Sequence, residues 1–302
     1  MLVPRGMPKT MRTRYTRASA LSGYIEDVAY IHKWQMRYLA LGMGRNPDLA
    51  ELAAVETYNT GLRNPVYGRD KSQSGRRLDA IIERAMDRVG ILEKADRGTA
   101  IHATTEPGAP FVPPHLQEAV DSFHEANRRH AIRIIGTEQF TANDATMSSG
   151  TFDHLVEVPG VPELEGVVIG DKKTGAYSPH EWAIQLSSYA NGDPYNTETD
   201  ERHSWPGKIN LDYAIVWQID NTVSPVTTRV HVLDIALGWE AAQHAAWVRD
   251  WHARNDLTHD LRPPQMIARL QNIHTLEDAR LLWESTEEPH LRALIEQRAS
   301  NL

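Results

Sequence analysis

Cysteine is absent from the 302 residues. That one absence excludes disulfides, thiolate zinc sites, cysteine nucleophiles and cysteine-bound iron–sulfur clusters. Lysine is scarce, with seven against 25 arginines. No apolar run approaches the ~18–20 residues that a membrane span needs. No Gly-x-x-x-x-Gly-Lys-Ser/Thr stretch is present to cradle nucleotide phosphates, so nothing points to ATP or to a motor. No signal peptide opens the chain. Leu2-Val3-Pro4-Arg5-Gly6 resembles the remnant of a thrombin site, which makes Met7 the expected native start. The expectation is a soluble cytoplasmic protein with no membrane partner.

What the chain does hold is ordinary for a protein with a core: 41% hydrophobic and 24% charged residues. The net charge of −8 argues, taken alone, against a polyanion partner. It hides an asymmetry. Residues 1–100 carry 17 bases and 11 acids (+6), and residues 101–302 carry 15 bases and 29 acids (−14). A sign change within one chain points to separate surfaces with separate partners.

Residues 7–17 are basic and lack apolar periodicity, so a flexible tail is expected through residue 17. Leu21, Ile25, Val28, Ile31 and Trp34 recur at helical spacing and predict a helix over 19–41. Asn46 and Pro47 open a second helix to about 60, and the Gly-rich stretch 61–75 reads as a loop. Helices are expected over 76–89, 91–105 and 115–129. The period then changes. Strands are predicted over 132–140, 150–158 and 167–171, the last two joined by Pro159-Gly160 as a hairpin. A helix over 179–190, strands over 211–219 and 227–235 and a helix over 239–254 follow. The acid-rich remainder is helical and amphipathic. The fold class expected is α/β (α+β), with helical additions at both ends of a sheet-bearing core. The expected regions are 1–17, 18–90, 91–255 and 256–302.

The chemistry concentrates in four short patterns. Asp171-Lys172-Lys173-Thr174-Gly175 ends an apolar strand, and an acid two residues before a lysine puts both side chains on one face. Such a pair suits phosphodiester hydrolysis: the carboxylate can hold a divalent metal, and the ammonium can orient water or stabilise developing charge. Of the seven lysines, only Lys173 has an acid at that offset. Gly150-Thr151-Phe152-Asp153 lies on the preceding strand, where a hairpin can bring Asp153 to Asp171; two carboxylates in one place repel unless a cation lies between them. Gly98-x-x-x-His102 offers an imidazole on the preceding helix, with a small residue one turn earlier to admit the helix close to the sheet. Gln185 and Tyr189, four apart on a helix, share a face.

Taken in this order, the four patterns resemble the RecB-type branch of the PD-(D/E)XK nuclease superfamily, over about residues 90–255. The resemblance implies a restriction-endonuclease-like core with a central mixed β-sheet flanked by helices. It implies His102, Asp153, Asp171 and the Lys172 backbone carbonyl as ligands of one or two Mg²⁺ or Mn²⁺ ions. Lys173 then corresponds to the catalytic lysine, and Gln185 and Tyr189 to the accessory motif. Glu138 ends the first core strand, where such proteins often carry an acid; it either positions a water or pairs with a base. Several members of this branch hold an iron–sulfur cluster on four cysteines, which this chain cannot do.

DNA is the expected partner, with a helicase, a recombinase or a further copy of the chain as protein partners. Candidate phosphate contacts are Arg12, Arg14 and Arg17 in the basic tail, Arg76 and Arg77, and Arg128 and Arg129 before the first core strand. Lys9, Arg63, Arg69 and Lys71 extend the basic set, and Tyr15, Tyr24, Trp34, Tyr38 and Tyr67 are candidate stacking residues. The leading expectation is a metal-dependent DNA exonuclease serving recombination, repair or replication. A structure-selective endonuclease and a non-catalytic DNA-binding scaffold are the alternatives.

Overall fold

The computed structural model describes residues 2–3, 8, 10, 12–26, 29–60, 73–91, 93–106, 108, 111–254, 257, 264–287 and 289–302. Among them, eight strands form one mixed sheet: β1 (Thr16–Arg17), β2 (Arg133–Asn143), β3 (Ser148–Glu157), β4 (Val168–Lys173), β5 (Asp193–Asn196), β6 (Glu201–Arg202), β7 (Tyr213–Asp220) and β8 (Thr227–Asp234). Their order is β6-β5-β2-β3-β4-β7-β8, with β1 also against β3. Neighbours are antiparallel except β1–β3 and β4–β7. A parallel pair needs a crossover. The connection from β4 to β7 contains α6 (Pro179–Ala190), opened by Ser178 and by Pro179 at its first position.

Burial follows strand position. Central β4 and β7 are apolar on both faces, with Val168, Ile169, Ala214, Ile215, Val216 and Trp217 all buried, whereas edge strand β8 alternates. One face packs on α4 (Glu93–Thr105) and α5 (Gln117–Arg129) through Ile101, Phe123, Val156, Val168 and Trp217. The amphipathic face of α5 repeats Ala119, Phe123 and Ala126 at helical spacing. The other face packs on α6 and the start of α7 (Ile235–His252) through Phe152, Ile169, Trp182, Leu186, Tyr189 and Ile235.

Gly170 is required where the first face is most crowded. A Cβ there would meet the Trp217 ring at 2.4 Å. The ring cannot retreat, because it is fully buried, edge-on to Phe123 at 5.5 Å and bonded through Nε1 to Asn127 Oδ1 at 2.8 Å. Gly170→Ala is therefore expected to cost about 1–3 kcal/mol by overpacking, read as a lower urea midpoint at unchanged slope.

The strands β3 and β4 form the expected hairpin, but only over part of their length. Pairing runs from Val156↔Val168 to His154↔Gly170. Beyond that point β4 continues beside β7, and β1 takes up the far end of β3 at Ser148 and Ser149. The two strands separate at Asp153 and Asp171.

Among the described residues, three helices lie between β1 and α4 in the chain: α1 (Ala29–Arg45), α2 (Pro47–Thr60) and α3 (Gln73–Asp87). Leu49, Ile81 and Ala85 form their small core. A Cβ at Gly42 would fall 2.0 Å from the Ala85 carbonyl, so glycine sets how closely α1 meets α3. Residues Met1–His252 make up one compact unit, and Ala253–Leu302 a second. The second holds α8 (Pro264–Gln271), α9 (Leu276–Glu284) and α10 (Pro289–Ala299) around Ile273, Ala279, Leu291 and Ile295, with a Thr275–Asp278 capping box opening α9.

Several expectations need correction. The helix expected over 19–41 begins at Ala29. Two single 3₁₀ turns precede it, and Leu21 is buried against Ile184 and Ala242 instead of lying on a helical stripe. Arg12–Arg17 is not a free tail: Thr13 pairs with Leu2, Thr16 and Arg17 pair with β3, and Leu2 packs on Ala142 and Tyr195. β5, in Asp193-Pro194-Tyr195-Asn196, was unexpected because its composition is that of a turn; its pairing with β2 supplies the stabilisation. Lys9, Arg63, Tyr67, Arg69 and Lys71 lie outside the described residues. Among the described residues no helix is long and apolar enough to cross a membrane.

Candidate functional site

The separation of β3 from β4 makes the site. Asp153 replaces the missing ladder bond with its side chain: Oδ2 accepts the Lys172 backbone N–H at 2.6 Å. Its other oxygen lies 3.3 Å from His102 Nδ1 on α4. Gly98, one turn before His102, admits this approach, since a Cβ there would lie 2.5 Å from Thr174 Oγ1. Gly150 does the same on the other flank, where a Cβ would meet the Tyr189 hydroxyl at 2.9 Å. Gly98 and Gly150 thus have steric causes, whereas a Cβ at Gly175 would meet nothing within 4 Å.

A second chain of contacts begins on β4. Asp171 Oδ2 is 2.7 Å from Lys173 Nζ, which donates to Gln185 Oε1 at 2.8 Å. Gln185 Nε2 donates to the Tyr189 hydroxyl at 3.1 Å. The four-residue spacing on α6 places both groups on the face toward the sheet, and both are buried. Strand alternation turns Asp171 and Lys173 to α6 and Lys172 to the opposite face.

Electrostatics separate the two aspartates. Burial pushes Asp171 up to about 6; Lys173 pulls it back, while Asp153 pushes it further. Burial also acts to raise Asp153, but the His102 hydrogen bond and charge, with Lys172, outweigh it and hold this carboxyl below its ordinary range. Burial takes the Tyr189 phenol upward, so it serves as a neutral hydrogen-bonding group. Glu138 belongs here too. Thr137 pairs with His154 and Gln139 with Phe152, which sets Glu138 opposite Asp153. Burial, then Asp153 and Glu106, raise its carboxyl. Its φ of 47° lies in the left-handed region, a strain of order 1–3 kcal/mol that clusters at functional sites.

No family model matches the chain, and no curated protein matches it in sequence.

The donor set fits a hard divalent cation. Asp153 and Asp171 supply carboxylate oxygens on the two strands where these part, and the Asp153 charge disfavours ionisation of both Asp171 and Glu138, a cost that a cation relieves. Among the described residues, no three acids or imidazoles encircle a common point as the side chains stand. His102 is turned to Asp153, and Asp171 to Lys173.

The arginines proposed for phosphate contact are not gathered at this site. Arg12 pairs with Asp200 at 2.9 Å, Arg77 with Glu56 at 3.4 Å, and Arg128 and Arg129 with Glu125. Arg14, Arg17 and Arg76 are exposed.

Two residues behind the site, Glu106 and His154, were not anticipated. Lys172 Nζ is fully buried and donates to Glu106, to Thr105 Oγ1 at 3.0 Å and to the His102 carbonyl at 3.3 Å. Glu106 stands four residues after His102, and that spacing was the available signal. His154 is also fully buried, between Phe123 and Trp217, and neither ring nitrogen has a hydrogen-bond partner. Burial, with the Lys172 charge, lowers its pKa to about 3.

A His whose folded pKa lies below its free value of ~6.5 contributes full stability above pH 6.5 and loses it as pH falls toward 3. By pH 5 the loss is about 2 kcal/mol. Asp171 acts with the opposite sign in part of this window, because its raised pKa favours the folded state as pH falls toward the free value. The informative comparison is therefore between proteins. His154→Phe is expected to flatten the acid decline between pH 6.5 and 4.5, measured by urea unfolding in EDTA. An unchanged decline would remove His154 as its cause.

Proposed function

We propose that the chain is a Mg²⁺- or Mn²⁺-dependent deoxyribonuclease, acting on DNA ends in phage or bacterial recombination, repair or replication. One observation carries this reading. Asp171, Lys173, Gln185 and Tyr189 form a continuous polar chain at the point where Asp153 and His102 meet the same pair of strands.

His102, Asp153 and Asp171, with the Lys172 carbonyl, would hold the metal. When bound, the metal supplies Lewis-acid stabilisation and acidifies a water. The remaining work falls to the protein. The Lys173 ammonium is held by Asp171 and Gln185, so it can face a scissile phosphate without first being ordered. Gln185 turns its carbonyl oxygen to Lys173, and Tyr189 fixes that orientation by accepting from the amide nitrogen. The +6 region of residues 1–100 is the proposed DNA face. A helicase, a recombinase or a second copy of the chain remains the proposed protein partner. The exonuclease mode follows the resemblance of the motifs, and a cytoplasmic setting is part of the same proposal.

The test is cleavage of end-labelled single- and double-stranded DNA, and of closed circles, in Mg²⁺, Mn²⁺ or EDTA. Mononucleotides released from ends, only with metal, are expected. Cut circles would replace the exonuclease mode with an endonuclease. DNA binding without cleavage would leave the scaffold reading in its place.

A further inference from the structure

Next to Lys173 the polar site continues into a group of aromatic rings. Lys173 lies opposite Gln218 on β7. Gln218 Oε1 meets His231 Nε2 on β8 at 3.2 Å, and Gln218 Nε2 donates to the Gly175 carbonyl at 3.4 Å. The loop leaving Lys173 is thereby tied to the strand beside it. Two residues further on, the Tyr177 ring stands edge-on to Trp182, with centroids 5.4 Å apart at 90°, and lies 5.2 Å from His231. Trp182 is a buried core residue on α6, one turn before Gln185. Tyr177 thus rests on a buried ring and a hydrogen-bonded imidazole, yet is itself 60% exposed.

An ordered aromatic ring with a wet side offers a π-face whose conformational cost is already met. Four residues of chain reach at most about 14 Å, so Tyr177 lies within a few nucleotides of Lys173. Stacking on such a ring needs a planar partner that is free of its own stack, which an unpaired base is and a paired base is not. We infer that Tyr177, propped by Trp182 and His231, is a stacking platform for an unpaired nucleobase of the strand whose phosphate lies at Lys173. The ligand class is DNA with a single-stranded end. Its identity rests on the nuclease reading; the platform itself requires no hydrolysis.

The experiment is fluorescence anisotropy in EDTA, with a labelled oligothymidylate and a blunt duplex of the same length. Tyr177→Ala is expected to weaken oligothymidylate binding about tenfold or more, and Tyr177→Phe to stay within about twofold of the wild type. Duplex binding is expected to change by less than about twofold in either variant. Equal urea midpoints check that both variants fold, as the exposure of the ring leads one to expect. The platform is overturned by wild-type affinity in Tyr177→Ala, by equal losses on both ligands, by a loss in Tyr177→Phe as large as in Tyr177→Ala, or by a wild-type protein that does not bind the oligothymidylate. If Tyr177-dependent binding persists but no cleavage follows in Mg²⁺ or Mn²⁺, the nuclease reading falls and the platform stands.

Discussion

Lys173→Ala is expected to lower metal-dependent DNA cleavage by at least about a hundredfold to a thousandfold and to leave the protein folded. The ammonium is partly exposed and held from two sides, by Asp171 at 2.7 Å and Gln185 at 2.8 Å. On the proposed function, its removal takes away a charge available to the phosphate and little core packing. Asp171, left without its base, can take up a proton, because its pKa already lies near 6. The folding cost is therefore small. Gln185→Ala is expected to act in the same direction but less, since it frees the lysine without deleting it. The measurement is initial rate on end-labelled DNA, alongside urea midpoints. Cleavage in Lys173→Ala within tenfold of the wild type would refute the assignment of this lysine.

Lys172→Ala is expected to do the reverse: to destabilise the fold by about 3–5 kcal/mol, the scale for breaking a buried ion pair by removing one partner. In a unit of this size that is a drop of roughly 10 °C in Tm. Lys172 has no exposed side-chain surface, and its ammonium joins Glu106, Thr105 and the His102 carbonyl beneath the site. Without it, Glu106 loses its ammonium partner, with only the His154 ring left 4.0 Å away, and α4 loses its tie to β4. A double-mutant cycle separates this from simple loss of packing. Lys172→Met combined with Glu106→Gln is expected to recover much of the stability lost by Lys172→Met alone. Additive losses would show that the pair is not the cause. Adjacent lysines are thus expected to take different roles, one toward the proposed substrate and one holding the helix that carries His102.

Much of this arrangement was legible because it depends on short-range periodicity. Alternation along a strand puts Asp171 and Lys173 on one face whatever surrounds them, and a four-residue step on α6 does the same for Gln185 and Tyr189. Pro179 after Ser178 marks the start of that helix, and the structure places it at Pro179–Ala190 as expected. The Pro159-Gly160 turn likewise announces that β3 and β4 pair. Misreadings arose where local pattern and tertiary packing disagree. Leu21 and Ile25 keep helical spacing but flank short 3₁₀ turns, because Leu21 is buried against α6 and α7. Tyr195 sits in a turn-like stretch that becomes a strand because β2 offers an edge.

The sequence alone determined which residues share a face and which small residues leave room, since backbone geometry and side-chain size are local properties. Only the tertiary structure decided that β3 and β4 separate at Asp153 and Asp171, that Lys172 is buried on Glu106, and that Tyr177 rests on Trp182 and His231. Those contacts join segments from five to some seventy residues apart. Packing and burial select them, and neither leaves a periodic mark in the chain.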